Sequence, residues 1–367
     1  MAEKLNILVV GGGNLGHAIY GKAAQNKYIN VSLLTSRPNL WASELKVYEE
    51  DGSFSKVKML NVSDSAEEIV PNADLIILTI PSFLIRNTLI EIEPLIKTGA
   101  WVGSIQCSGG YFWMAQSILP KGTKIFGFQR VPFISRIREY GSSVNIKGYK
   151  KQLKIATNKS SDNDHTIINN LKKIFNTPTI KLKSFLEVTL TNSNPILHPS
   201  RLYDLFKNIS LNKNFRDEPL FYEEWSDNAS NILIKCDDEL ADIVRALNNK
   251  MDPIPSILKH YGVDDSLSLT IKLRSIAAFK GIRLGLSKVS ENTFRIDLNN
   301  RYFTEDIPFG LLIIKGFAEQ LKIETPMIDE IILWAQNLMG KEYLIDNRLI
   351  GKDVCETGIP QNFDFKV

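Results

Sequence analysis

The first half of the chain alternates short apolar runs with segments of helical pattern. Apolar runs of this length, bounded by turn residues, predict buried parallel strands. We predict strands at 6–10, 31–35, 75–80, 100–105 and 124–128, later strands near 143–147, 152–157 and 179–183, and helices at 83–94 and 164–175. The stretch 44–62 is predicted to hold a short helix and then an extended segment from residue 56. This alternation predicts a doubly wound parallel sheet.

The first apolar run leads straight into a glycine turn, Gly11-x-Gly13-x-x-Gly16. After a strand and before a helix, this spacing fits a dinucleotide-binding turn. Gly11 permits the tight turn, Gly13 lets the backbone approach a pyrophosphate, and Gly16 lets helix and strand pack closely. A helix starting here would direct free N–H groups at phosphate. The candidate cofactor-binding residues of this turn are Gly11, Gly13, Asn14, Leu15 and Gly16. The alternative is a glycine-rich turn that binds no ligand.

The ends of two further strands also bear on the cofactor. An NAD site usually has an acid at the end of the second strand, but here Ser36 and Arg37 follow it. Because an arginine can pair with a 2′-phosphate, we favour NADP(H) over NAD(H). The alternative is that Arg37 is an exposed loop arginine. The strand at 75–80 stops at Pro81, and ligands sit at the carboxyl ends of parallel strands.

Beyond about residue 184, long helical patterns replace the short apolar runs. They cover 225–249, 267–276, 309–321 and 327–338, with prolines near their starts. The predicted fold class is therefore α/β: a Rossmann-type doubly wound parallel sheet in residues 1–184, followed by a mostly helical domain in residues 185–367.

Composition excludes several classes of function. The net charge of +3 is too small to argue for nucleic acid or a membrane surface as partner. No apolar segment is long enough to span a bilayer, and the N-terminus does not resemble a secretory signal. Three cysteines without metal or redox spacing suit a reducing cytoplasm. We therefore expect a cytoplasmic protein without a metal site, and a helical second domain leaves a homodimer open.

Two places in the helical domain could carry chemistry. His198 lies between Leu197 and Pro199 near the domain junction, and histidine is the natural acid–base group near neutral pH. A core or capping histidine is the alternative. Asp306 precedes Pro308 and an apolar helix, which is typical of a helix N-cap. A capping aspartate can also face a histidine, so both interpretations of Asp306 stay open.

These motifs resemble the octopine/nopaline (opine) dehydrogenase family over nearly the whole chain. The resemblance rests on the glycine turn and on three later motifs: Asn194-Pro-x-x-His198-Pro199, Arg301-Tyr-Phe-Thr-Glu-Asp306-Ile-Pro308-Phe-Gly310 and Thr325-Pro-Met-Ile-Asp329. It implies a Rossmann domain followed by a helical domain, with the site in the cleft between them. Glycerol-3-phosphate and ketopantoate reductases share this layout, but we cannot place their catalytic lysine here.

The resemblance also implies a reaction: reductive condensation of an amino acid with a 2-keto acid through an imine, with hydride from NAD(P)H. His198 would be the acid–base group, and Asp306 would hold its imidazole in one tautomer. Arg301 would bind a substrate carboxylate, although a surface ion pair is the alternative. Further positions matching the substrate end of the family's site are Gln106, Arg130 and Asn194. Arg130 and Ser135 differ from the better-known invertebrate enzymes.

Two rival functions follow from the same residues. A same-class rival is a reductase that converts a 2-keto acid into a hydroxy acid without an amine. A different-class rival is a protein that binds NADP(H) as a sensor and catalyses nothing. The combination of His198, Asp306 and Arg301 argues against a sensor, which has no need of these three groups.

Overall fold

A computed structural model describes residues 4–105, 107–158 and 164–367. The chain forms two compact units, of which the first ends at Thr189 and the second begins at Leu190. The sequence places this boundary after residue 184. Phe185 stacks on Phe112 with ring centroids 4.0 Å apart, and the Glu187 carbonyl accepts a hydrogen bond from Gln129. These contacts explain why residues 185–189 belong to the first unit.

The first unit contains most of the strands. They are β1 (Leu5–Val10), β2 (Ile29–Leu34), β3 (Glu44–Tyr48), β4 (Phe54–Lys58), β5 (Val62–Ser63), β6 (Leu75–Leu78), β7 (Trp101–Ser104), β8 (Lys124–Phe128), β9 (Phe133–Glu139), β10 (Ser143–Tyr149), β11 (Leu153–Thr157) and β12 (Thr179–Lys181). Its helices are α1 (Asn14–Ala24), α2 (Ala66–Ile69), α3 (Ser82–Ile92), α4 (Tyr111–Ile118), α5 (Asp164–Phe175) and α6 (Phe185–Leu190), the last of which ends at the boundary.

Eight of these strands form one sheet in the order β12-β11-β8-β7-β6-β1-β2-β5. Its pairs are parallel except for β8 and β11, which run antiparallel. The central strands β6 and β7 are buried along their whole length, as strands covered on both faces must be. The predicted Rossmann-type parallel sheet is thereby confirmed.

A second sheet replaces the short helix predicted within 44–62, and that prediction was wrong. Here β3 and β4 form an antiparallel hairpin. On its other side β3 pairs with β10, which pairs with β9, so the order of the sheet is β4-β3-β10-β9. Leu45 and Val47 are fully buried, whereas Glu44 before them and Lys46 between them are exposed. A period of two is the pattern of a half-buried strand. Strand β9, between 133 and 139, was also absent from the prediction.

The second unit is mostly helical, as predicted. Its helices are α7 (Asn194–Phe206), α8 (Asp227–Ala246), α9 (Ile257–Tyr261), α10 (Ser266–Ser275), α11 (Arg301–Thr304), α12 (Leu312–Leu321) and α13 (Pro326–Met339). Two small hairpins complete it, β13 (Ser287–Ser290) with β14 (Thr293–Arg295), and β15 (Leu344–Ile345) with β16 (Arg348–Leu349). Among the described residues, none of the helices is both long and apolar enough to cross a membrane.

A buried ion pair joins α12 to α13. Lys315 donates to Asp329 at 2.7 Å and to the Thr325 hydroxyl at 3.3 Å, and Thr325 in turn bonds Asp329 at 3.0 Å. From α8, Glu239 accepts the backbone N–H groups of the first turn of α13. A buried ion pair persists where further hydrogen bonds satisfy both partners. The motif from Thr325 to Asp329 therefore stabilises the packing of α8, α12 and α13.

Candidate active site

The glycine turn follows β1 and is locked by Thr79 from the end of β6. The Thr79 hydroxyl donates to the carbonyls of Val10 and Gly11, at 2.9 and 3.1 Å. Gly11 has φ +111°, and a Cβ there would lie 2.8 Å from Ile80. Both the backbone angle and the space around this position therefore require glycine.

The other two glycines of the turn differ in their surroundings. A Cβ on Gly16 would lie 1.8 Å from the Gly11 carbonyl oxygen, so this glycine sets the close packing of α1 against the turn. A Cβ on Gly13 would meet nothing within 4 Å, and this residue is exposed. Bare, accessible backbone at the start of a helix fits a pyrophosphate group.

The start of α1 is held by strand β9. Asn14 is the first helical residue, and its side-chain oxygen accepts the Ile137 N–H at 2.8 Å. The Ser135 hydroxyl donates to the Asn14 carbonyl at 3.0 Å. Leu15 is partly buried against the core of the sheet. Ser135 thus stabilises the start of α1, directly after the glycine turn.

His17, in the first turns of α1, has a structural role. Its Nδ1 lies 3.0 Å from the Gly13 carbonyl, and its Nε2 accepts the Gly141 N–H at 2.8 Å. The ring also stacks on Trp41 with centroids 4.0 Å apart. Burial lowers the pKa of His17 to about 4, so the ring is neutral near pH 7 with its proton on Nδ1.

The predicted cofactor-binding residues beyond the ends of β2 and β6 are open to solvent. Ser36 and Arg37 are both exposed, and the Arg37 guanidinium has no ion pair among the described residues. Pro81 is exposed and precedes the first residue of α3. Because both stretches follow the carboxyl ends of strands that flank β1, they lie at the same edge of the sheet as the glycine turn.

A groove of about 1100 Å³ lies elsewhere in the first unit. It is lined by the amino-terminal halves of β1 and β2, by β4 and β5, and by the end of α1. Because β5 pairs only with Leu33 and Leu34 of β2, the remainder of β2 is an open sheet edge. Lys4, Lys27 and Lys56 are among the lining residues, and lysines commonly guard such edges against pairing. The groove does not include the glycine turn.

A histidine–aspartate pair forms the polar centre of the second unit. His198 Nδ1 lies 2.8 Å from Asp306 Oδ2. His198 is 8% exposed and Asp306 is 5% exposed. Since a carboxylate only accepts hydrogen bonds, the imidazole carries its proton on Nδ1 and directs Nε2 away from Asp306. Asp306 occupies the N-cap position of the following helical turn, as the sequence indicates, but its side chain makes no capping bond to the backbone of that turn.

An irregular turn aims the Asp306 side chain. Residues Ile307–Leu311 form one π-turn, closed by the bond from Leu311 N–H to the Asp306 carbonyl at 2.8 Å. Single π-turns of this kind are frequent at functional sites. Gly310 packs on Pro195 in the first turn of α7, where a Cβ would lie 3.0 Å from the proline ring. The close approach of these two segments brings Asp306 to His198.

Aromatic rings surround the imidazole. The rings of Tyr302 and Phe221 meet that of His198 edge-on, with centroids 4.9 and 5.3 Å away. The Tyr222 hydroxyl lies 3.4 Å from His198 Nε2. Burial, and next the neighbouring Asp306, raise the pKa of Tyr302 to about 12. The imidazole thus lies among aromatic rings and phenols that stay protonated.

Two predicted substrate residues of the second unit lie near this pair. Asn194 is the first residue of α7, four positions before His198, so the two side chains share one helix face. Arg301 begins α11 and is exposed, and its positive charge opposes the rise in the pKa of Tyr222 and of Tyr302. In the described parts of the chain Arg301 has no salt-bridge partner.

The remaining predicted substrate residues belong to the first unit. Arg130 follows β8, bonds the Gln129 carbonyl at 3.0 Å, and has its pKa lowered by burial. Gln106 lies outside the described residues. Sequence reasoning missed Thr79 and Tyr222. A hydroxyl at the end of an apolar strand could have drawn attention to Thr79, whereas nothing in the sequence around Tyr222 marks it.

Known proteins match the whole chain. Residues 181–339 match the family model for the "NAD/NADP octopine/nopaline dehydrogenase, alpha-helical domain". Octopine dehydrogenase of Pecten maximus is 28% identical over 98% of this chain and 97% of its own length. An octopine dehydrogenase solved with NADH and L-arginine has a TM-score of 0.87 at 28% identity, over 99% of this chain and 96% of that one. Its structure with NADH and pyruvate gives 0.84 at 27%, with the same coverage.

Residues 181–339 thus resemble the helical domain of octopine/nopaline dehydrogenases, and nearly the whole chain is similar to octopine dehydrogenases in sequence and fold. It is accordingly an NAD(P)-dependent oxidoreductase that acts on a CH–NH donor. The structure brings the glycine turn together in one unit, and His198, Asp306 and Arg301 in the other.

The glycine turn generates a test with two matched variants. Gly16→Ala introduces a clash with the Gly11 carbonyl, and we expect it to lower the free energy of unfolding by about 1–3 kcal/mol. Gly13→Ala meets open space, so its stability is expected to stay unchanged while affinity for NADH and NADPH falls. Urea denaturation and fluorescence titration measure the two effects separately. Undiminished cofactor binding by Gly13→Ala would remove Gly13 from the pyrophosphate site.

Proposed function

We propose that this protein is an opine dehydrogenase that condenses an amino acid with a 2-keto acid and reduces the resulting imine, with His198 and Asp306 as its acid–base pair. The observation that carries the proposal is the 2.8 Å bond between His198 Nδ1 and Asp306 Oδ2 in a buried, aromatic setting. The relatives solved with L-arginine and with pyruvate support these two substrate classes.

The reaction demands proton movement at two stages. The amine nitrogen attacks the keto carbon, a C–N bond forms, and the carbonyl oxygen leaves as water after taking up protons. When bound, the reduced nicotinamide supplies a hydride to the imine carbon. The product is a secondary amine with two carboxylates. His198 Nε2 is the group that gives a proton to the departing oxygen and exchanges protons with the nitrogen.

Asp306 governs which imidazole nitrogen reacts. By accepting the Nδ1 proton, its carboxylate leaves Nε2 as the nitrogen that gains and loses protons. It also stabilises the imidazolium that forms, as the third group of a catalytic triad does. Positioned acid–base groups of this kind contribute about 10²–10⁴-fold in rate.

The substrate carboxylates need cationic partners. Arg301 is exposed and without a counter-ion among the described residues, and a guanidinium can bind a carboxylate through two parallel bonds. Asn194 shares the face of α7 with His198 and offers an amide to the same substrate. We assign Arg130 and Gln106 to the keto-acid end from the family resemblance.

The nicotinamide cofactor is held by the first unit. Gly11, Gly13 and Gly16 shape the turn, and the N–H groups at Asn14 and Leu15 would bind the pyrophosphate at the start of α1. Ser36, Arg37 and Pro81 follow the strand ends at the same edge of the sheet. Because the Arg37 guanidinium has no ion pair within the described part of the chain and no acid stands at position 36, we propose a preference for NADP(H).

Cofactor oxidation with paired substrates tests the function. Pyruvate is offered with each standard amino acid, with NADPH and NADH in parallel, and cofactor absorbance is followed. We expect oxidation only when both an amine and a keto acid are present. Oxidation with the keto acid alone would instead establish a hydroxy-acid dehydrogenase.

Asp306→Asn tests the acid–base pair. The amide fits the same space but can present an N–H to Nδ1, which would move the imidazole proton to Nε2. We expect kcat to fall about 10²–10⁴-fold with NADPH binding and melting temperature unchanged. Asp265→Asn is the control, because Asp265 caps the exposed start of α10 and asparagine caps equally well. An Asp306→Asn enzyme of normal kcat would contradict the proposal.

Arg37→Ala tests the cofactor preference. Losing a charge-assisted bond to a 2′-phosphate is expected to weaken NADPH binding about 10- to 100-fold and to leave NADH binding unchanged. Lys27→Ala removes one positive charge from the distant start of β2 and controls for general electrostatics. Equal weakening of both cofactors, or of neither, would identify Arg37 as a loop arginine without a part in selection.

A further inference from the structure

The Nε2 atom of His198 has one polar neighbour among the described residues, the hydroxyl of Tyr222. The separation of 3.4 Å exceeds that of a relaxed O–H···N bond. Catalytic hydrogen bonds are often long before substrate binds and tighten in the complex. Tyr222 therefore stands at the nitrogen that the proposed function requires to move protons.

The Tyr222 ring is fixed by its surroundings. It stacks on Phe279 with centroids 4.0 Å apart and planes within 18°. Its own carbonyl accepts the Trp225 N–H at 3.1 Å, and the preceding Phe221 N–H donates to the Ile282 carbonyl at 2.7 Å. A ring held on one face and anchored at its backbone presents its hydroxyl in one direction.

Helix α7 carries the histidine and also holds the segment that carries the tyrosine. Arg201 lies one turn after His198 and is 1% exposed. Its Nε donates to the Phe221 carbonyl at 3.2 Å and its Nη2 to the Glu224 carbonyl at 2.6 Å. A buried guanidinium must satisfy its donors, so these bonds clamp the tyrosine-bearing segment onto the helix that carries the imidazole.

We propose that Tyr222 is a positioning residue whose hydroxyl holds the His198 imidazole in its reactive orientation. A hydroxyl can donate to unprotonated Nε2 and accept from protonated Nε2–H. The same neighbour thus serves both protonation states of the ring. Burial and nearby acidic groups raise the pKa of Tyr222 well above its ordinary value, so the phenol keeps its proton throughout. The catalytic part of this inference rests on the proposed function.

Tyr222→Phe is the decisive variant, because it removes the hydroxyl and keeps the ring stacked on Phe279. We expect kcat to fall about tenfold, because a factor of that size corresponds to the net free energy of one hydrogen bond. The KM for amine and keto acid is expected to stay within about twofold, since the tyrosine acts through His198 rather than on the substrate. The ¹⁵N and ¹H signals of the His198 ring, measured by NMR without substrate, are expected to shift.

Tyr203→Phe is the matched control. Tyr203 lies on α7, as His198 does, and its hydroxyl donates a hydrogen bond to Glu330 rather than to the histidine. This variant is expected to leave kcat and the His198 ring signals unchanged. Melting temperatures of all three proteins show whether any loss of activity comes from lost stability.

The outcomes separate the two proposals. If Tyr222→Phe lowers kcat at constant KM and shifts the ring signals, the positioning role holds. Unchanged kcat and unchanged signals would overturn it, as would a loss of activity that follows a loss of stability. If the wild-type protein oxidises no cofactor with paired substrates, the proposed function fails. In that case the NMR signals of the His198 ring alone test the positioning role of Tyr222. A shift of these signals in Tyr222→Phe supports the contact, and no shift overturns it.

Discussion

The bond between His198 and Asp306 is the contact on which the proposed acid–base chemistry depends. The two residues are separated by 108 positions and come from α7 and from the π-turn before α12. Such a bond forms only if both segments are held to within a few tenths of an ångström. The packing of Gly310 on Pro195 allows this close approach, because a side chain at position 310 would crowd the proline ring.

A similar constraint shapes the first unit. Gly16 brings α1 against the carbonyl of Gly11, while Thr79 fixes the same carbonyl from a neighbouring strand. Strand β9 and His17 then secure the start of the helix from the other side. In both units, glycine allows close backbone contact and a polar side chain then locks the geometry. The glycine at 13 differs, since it faces open space.

Much of this could be predicted from sequence, for reasons that differ by element. The parallel strands read as continuous apolar runs, and the dinucleotide turn has a spacing with a mechanical cause. The pairing of His198 with Asp306 came from the family resemblance, because local sequence favoured a core histidine and a helix cap. The β3–β4 hairpin was missed although Leu45 and Val47 alternate with polar residues. Neither the π-turn nor the approach of Tyr222 leaves a periodic signal, since both depend on tertiary packing.

In the proposed function, the surroundings of the imidazole explain how so few groups could suffice for acid–base catalysis. Electrostatic interactions between buried groups are stronger than those in water, because less solvent screens them. Asp306 engages Nδ1, and aromatic edges from Phe221 and Tyr302 occupy the flanks of the ring. Proton exchange is thereby confined to Nε2. A hydroxyl that can both donate and accept suits this nitrogen better than a second charge would, because a fixed charge would favour one protonation state, whereas the reaction must pass through both.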